Sequence, residues 1–121
     1  MKLFLKSEIM DMPNPTPEKP FSKIIIANNV CRCKNSACAL LILPSQGSIP
    51  AHYHKSREIW LFMLSGEIEQ TVDGQIYVLK AGDTMFIAAS EIHGVKNIGP
   101  QEARFVEVWT TPEVEPAFYL P

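Results

Sequence analysis

From residue 21 onward, apolar, β-branched and aromatic residues come in short runs separated by Gly, Asn, Asp and Pro. This rhythm predicts strands over 23–33, 38–43, 49–53, 58–64, 67–72, 75–79, 84–88, 94–97 and 104–110. No stretch longer than a turn or two sustains a 3.6-residue period, so the expected fold class is all-β with little or no helix. Residues 39–43 and 59–64 are apolar on both faces, as expected of strands covered on both sides by a second sheet or a second subunit. Asp73-Gly74 is the strongest hairpin signal, because a two-residue type I′ loop needs positive φ at both positions. Ser65-Gly66 and Ala81-Gly82-Asp83 read as further turns. Pro13, Pro15, Pro17 and Pro20 forbid a helix or interior strand and predict an extended arm.

Composition narrows the field. The chain has 121 residues, a net charge of -2 and no cluster of lysine or arginine, which argues against a nucleic-acid partner. There is no signal-peptide core and no long uncharged apolar run, so a cytoplasmic protein without membrane contact is expected. Cys31, Cys33 and Cys38 are an odd set that cannot pair completely within one chain. Reduced thiols on a hairpin explain them sufficiently, because a structural zinc site would need a fourth ligand.

All three histidines, His52, His54 and His93, belong to one spaced constellation. In an extended strand His52 and His54 share a face about 7 Å apart, close enough to grip one ion. Glu58 has the same parity and offers a carboxylate oxygen, while His93 must arrive from another strand. Three imidazoles and a carboxylate suit one divalent ion per chain, whether Fe, Mn, Ni, Co, Cu or Zn. About two positions of an octahedron would stay open for substrate, water or dioxygen.

The stretch from Gly47 through His52, His54 and Glu58 to Gly66 resembles the first motif of the cupin superfamily, G-x5-H-x-H-x3 or x4-E-x6-G. Gly82 through His93 to Asn97 resembles the second, G-x5-P-x-G-x2-H-x3-N, with Ala88 in place of the proline and Ser90 in place of the glycine. The first motif is one residue short before His52 and one long after Glu58. A β-bulge after Glu58 is expected to absorb the extra residue and leave the carboxylate inward. The resemblance implies a double-stranded β-helix, or jelly-roll barrel, over residues 23–111, between an N-terminal arm (1–22) and a proline-broken tail (112–121).

It also implies a metal site at His52, His54, Glu58 and His93. The implied function is a metal-dependent enzyme for a small oxygenated molecule, with a dioxygenase-like oxidoreductase the first choice. A sugar or polyol isomerase is the alternative within enzymes, and a small-ligand-binding module the alternative outside them. Gln70 and Glu107 are the further catalytic candidates. Gln70 shares a face with Ile68 and Val72, and parity leaves its direction open. Glu107 becomes a general acid or base if the Phe105 and Trp109 face turns inward. The opposite register, with Val106 and Val108 inward, is slightly favoured. Trp60, Phe62, Met85 and Phe86 are expected to line or support the cavity and Tyr53 to face away from it, while Lys55 and Arg57 either hold an anionic substrate at the barrel mouth or, as adjacent loop charges more often do, are simply solvated. A homodimer is expected from the long apolar strands and the arm.

Overall fold

The computed structural model describes residues 1, 3–11, 22–25, 35–110 and 119–121, with the side chains of 22–25 excepted. The predicted arm at 13–20, the second half of the first predicted strand, Cys31, Cys33 and most of the tail lie outside these residues. A short helix α1 (Lys6–Met10) precedes β1 (Ser22–Ile25), β2 (Ala37–Leu43), β3 (Ser48–His52), β4 (Ile59–Ser65) and β5 (Glu67–Val72). Then come β6 (Gln75–Lys80), β7 (Thr84–Ile87), β8 (His93–Asn97) and β9 (Ala103–Trp109). Strands dominate because alternation with a period of two, and not 3.6, runs through the sequence.

The strands form two antiparallel sheets, one in the order β1-β2-β9-β4-β7 and the other in the order β3-β8-β5-β6. Their inner faces close on one core. Ala39, Leu41, Leu43, Ile59, Leu61, Met63, Phe105 and Trp109 come from the first sheet, and Ile49, Ile68, Leu79 and Val95 from the second. Two packed sheets with interdigitated inner side chains are how alternating strands bury their apolar half. Truncating a fully buried aromatic such as Phe105 would cost about 3–5 kcal/mol.

Outside the first sheet the expectation fails. Trp60, Phe62 and Phe86 do not line the cavity but project outward at 44%, 40% and 43% exposure, with Trp60 and Phe86 rings 5.1 Å apart. Only Met85 of that set packs against the core. The inward positions of β4 are Ile59, Leu61 and Met63, so each aromatic between them must point the other way.

Two irregularities in the ladders set side-chain direction. Between β3 and β8 the register shifts between Ile49 and His52, so that both residues turn inward although three positions separate them. Between β4 and β9 the shift falls between Met63 and Ser65, while Ile59 to Met63 pair regularly. The extra residue of the first motif is therefore taken up at the far end of β4, and not beside Glu58. Gly66 follows that shift with φ +80°, and a Cβ there would come within 2.7 Å of the Ala103 Cα.

At one end of the barrel Asn97 is fully buried and ties three segments together. Its amide nitrogen donates to the Leu43 and Gln101 carbonyls at 3.0 and 2.8 Å, and its amide oxygen accepts from the Gly99 N–H at 2.9 Å. Its backbone N–H also donates to the Gly47 carbonyl, at 2.9 Å, joining the ends of the two motifs. At the opposite end, Tyr119 forms a two-way backbone bridge with Tyr53, each hydrogen bond 2.9 Å long, and the two rings stack 5.4 Å apart. Tyr53 thus faces away from its histidine neighbours, as strand parity requires.

Candidate metal centre

His52 ends β3, His93 begins β8, and the two are register partners. His54 lies two residues beyond His52, and its carbonyl accepts the Ser90 N–H at 2.7 Å, which fastens the loop before His93 to the loop after His52. Ser90 adopts φ 69° to make this contact, the left-handed conformation that glycine takes without strain. Gly94 lets β3 approach β8, since a Cβ there would meet Ala51 N and Ile49 O at 3.1 Å. On the other side, the Asp73 carboxylate accepts from the Ile92 N–H at 2.9 Å, while the Asp73 N–H donates to the Ile92 carbonyl at 2.7 Å. The hairpin tip between β5 and β6 therefore braces the residue before His93.

The result is a cluster of three buried imidazoles whose candidate ligand atoms all lie within 4.8 Å of one another. Ring centroids are 4.3 Å apart for His52 and His93, 5.0 Å for His52 and His54, and 5.3 Å for His54 and His93. His52 Nδ1 lies 2.7 Å from the Pro50 carbonyl and His93 Nδ1 2.9 Å from the Glu91 carbonyl. A carbonyl has no proton to give, so each Nδ1 is the donor and each Nε2 keeps its lone pair.

Burial pushes the His52 imidazole down from 6.5 to about 4, against the opposing pull of the Pro50 carbonyl. The nearby His93 and Arg57 add to the lowering, and Glu107 opposes it. Burial likewise lowers His93, with the Glu91 carbonyl opposing. Neutral rings fixed by backbone carbonyls at Nδ1, with the lone pair left on Nε2, are the donor set of a divalent transition metal. The residues present fit such an ion.

Glu58 is not brought to this cluster. It is exposed, and its N–H bonds the Thr110 hydroxyl at 3.3 Å. Because β4 pairs regularly from Ile59, Glu58 has the outward parity of Trp60, and the inward position belongs to Arg57. Arg57 is 3% exposed, with its guanidinium 4.3 Å above the Trp109 ring. Its expected place as a solvated residue at the mouth is thus also corrected. The signal was available in the alternation of Ile59, Leu61 and Met63, which extends back to residue 57. Lys55 does stay exposed, its ammonium 4.3 Å from the Tyr119 ring centroid.

Glu107 points inward, opposite to the slightly favoured register. It pairs with the buried Ala39 on one side and Leu61 on the other, sharing their face. The Trp109 indole N–H donates to its carboxylate at 3.0 Å. Gln70 also points inward and is 2% exposed, with its amide oxygen buried and without a hydrogen-bond partner among the described residues. It pairs with Val95, while Val72 pairs with His93, so Gln70 sits diagonally beside His93 on one sheet face.

Residues 39–109 match the Cupin domain family model, and the chain belongs to that family. Over 67 residues it is 31% identical to the protein called polyketide synthase CurC of Streptomyces cyaneus, covering 55% of this chain and 44% of that one. It is 27% identical over 126 aligned positions to oxalate decarboxylase OxdC of Bacillus subtilis (strain 168), covering 87% of this chain and 33% of that one. The chain thus spans less than half the length of these curated relatives. An uncharacterized conserved protein with a double-stranded beta-helix domain from Klebsiella pneumoniae superposes with a TM-score of 0.78. That pair is 23% identical, over 100% of this chain and 99% of the other. The fold is the double-stranded β-helix, and the three-histidine cluster supports a metal-binding cupin.

Proposed function

We propose that the chain is a metal-dependent enzyme acting on a small oxygenated molecule. His52, His54 and His93 would hold one divalent ion, and Glu107 would act beside them as general acid or base. The observation that carries this reading is the convergence of three buried imidazoles within 4.8 Å, in a barrel whose other wall turns the Glu107 carboxylate inward. When bound, such an ion polarises a substrate oxygen or, if redox-active, activates dioxygen.

The chain's own contribution is position and charge. The Pro50 and Glu91 carbonyls fix two imidazole orientations. The Trp109 indole holds one carboxylate oxygen of Glu107, so the group meets substrate in a set orientation. The register partner of Glu107, Leu61, and its β9 neighbour on the same face, Phe105, are buried, and this apolar wall beside the half-buried carboxylate strengthens its electrostatic effect on a bound molecule.

A dioxygenase-like oxidoreductase is the first reading, because three protein ligands leave room for substrate and dioxygen together. The likeness to oxalate decarboxylase OxdC favours a second, in which a carbon–carbon bond breaks without oxygen consumption. Iron- and manganese-loaded protein, offered a panel of small hydroxy and oxo acids, diols and sugars, separates the two with an oxygen electrode and product analysis. Oxygen uptake matching substrate loss supports the first. Turnover without uptake supports a lyase or isomerase, and tight binding with no turnover would establish a ligand-binding module instead. In the enzyme, Glu107→Gln is expected to lower turnover about 10²- to 10⁴-fold with metal content unchanged.

The exposed Trp60, Phe62 and Phe86 face supports a homodimer, which light scattering at micromolar concentration tests. Among the described residues, no helix is long and apolar enough to cross a membrane.

A further inference from the structure

Glu58 points to solvent, and the inward position beside the histidines carries the opposite charge. This changes what the centre needs from a ligand. Imidazoles that coordinate a metal are neutral. Among the described residues, Arg57 acts electrostatically on both His52 and His93, while Glu107 opposes it at His52 and Glu91 and Asp73 oppose it at His93. Of these four only Arg57 is buried, Glu107 and Glu91 being half-buried and Asp73 exposed. With a divalent ion in place the charges buried deepest would therefore both be positive, the ion and Arg57, and buried charge without a buried counter-charge is costly. An inward glutamate would have placed a negative charge at that depth, and Arg57 places a positive one there instead.

The remaining buried polar group points the same way. Gln70 is buried beside His93, and its amide oxygen has no hydrogen-bond partner among the described residues. A buried amide left in this state is stabilised by a ligand hydroxyl, which can donate to its oxygen or accept from its nitrogen.

We propose that the centre's ligand is a small chelating carboxylate, with its anionic oxygen filling the place of the missing carboxylate ligand beside Arg57 and a hydroxyl at its second carbon meeting Gln70. This takes the metal centre of the proposed function as given and adds the chemical class of what binds there. Arg57 suits the task because its guanidinium stays charged when buried and sits 4.3 Å over the Trp109 ring. A planar fork set in one orientation matches a carboxylate better than a mobile ammonium would.

The test is calorimetric titration of cobalt-loaded protein with glycolate, oxalate and 1,2-ethanediol, with the cobalt absorption spectrum as a second readout. Glycolate and oxalate are expected to bind and to perturb the spectrum, and ethanediol to bind at least 100-fold more weakly. Arg57→Gln is expected to weaken both acids 10- to 100-fold while cobalt content stays the same, with Arg57→Lys restoring part of the loss. Gln70→Leu is expected to weaken glycolate and leave oxalate unchanged. Melting curves of each variant separate a local effect from loss of the fold.

Ethanediol binding as tightly as the acids would overturn the inference. So would unchanged acid affinity in a folded, cobalt-loaded Arg57→Gln. If the natural sequence takes up no metal, the same titration is run without it, and absence of carboxylate binding then overturns the inference as well. Turnover plays no part in these readouts, so carboxylate binding without catalysis would sink only the enzyme reading, and catalysis without carboxylate preference only this one.

Discussion

The two ends of β8 hold the two polar residues of the second motif, His93 and Asn97, both buried and both facing inward. They live in opposite chemical conditions. Asn97 has both amide atoms engaged by backbone groups of three different residues. It closes its end of the barrel like a rivet, with both amide hydrogens used and its oxygen engaged and out of reach of solvent. Four residues away, His93 shares its space with two more imidazoles and with Gln70, whose amide oxygen lacks a hydrogen-bond partner among the described residues. Buried polar groups are expensive unless satisfied. Complete satisfaction therefore marks structure, and incomplete satisfaction within a folded core marks a place prepared for something else.

His93 and Asn97 differ most in what their loss does to metal content. His93→Ala is expected to take cobalt from about one equivalent to none by elemental analysis, while leaving a folded protein. Asn97→Ala should do the reverse, keeping the imidazoles but losing three hydrogen bonds and stranding their partners. The expected cost is about 3–5 kcal/mol in urea unfolding, against less than about 1 kcal/mol for Gln70→Leu, which removes a buried polar group with an unmet bond. Equal losses for these two would end the distinction between rivet and site.

Acidification sharpens the same contrast. His52 titrates near 4 in the fold and near 6.5 in the unfolded chain. Between these values the unfolded chain binds the proton and the fold does not. Metal-free protein should thus be at full stability above pH 6.5 and lose on the order of 2–3 kcal/mol as the pH falls toward 4. His52→Gln should flatten much of that slope, as followed by thermal melting across the range. The smallest effect expected is at Glu58, where Glu58→Gln should leave cobalt affinity within about twofold, because the carboxylate points to solvent.

Much of this arrangement is legible in the chain. Period-two alternation carries the strands, and the histidine spacing carries the cluster. What parity alone misplaces is the phase across an irregular stretch. Residues 54–58 lie outside any strand, and across them the inward positions pass from His52 and His54 to Arg57, Ile59 and Leu61, which exchanges a predicted carboxylate ligand for a buried arginine. The direction of Glu107 was undecidable for a related reason, since Val106 and Val108 are as apolar as Phe105 and Trp109. Only the pairing of β9 with both β2 and β4 selects the face. Ser90 shows the opposite case, in which a departure from the motif keeps the geometry of glycine and accepts its strain.

The brace between Asp73 and Ile92 ties the centre to the β5–β6 hairpin, whose β6 strand is an edge of its sheet. The Ile92 amide is held only while that turn is closed, so its hydrogen-exchange rate should report the opening of β5–β6 and not global unfolding. The imidazole next to it would then loosen on the schedule of a surface turn. Sequence changes at residues far from any ligand would set how long the cluster stays assembled.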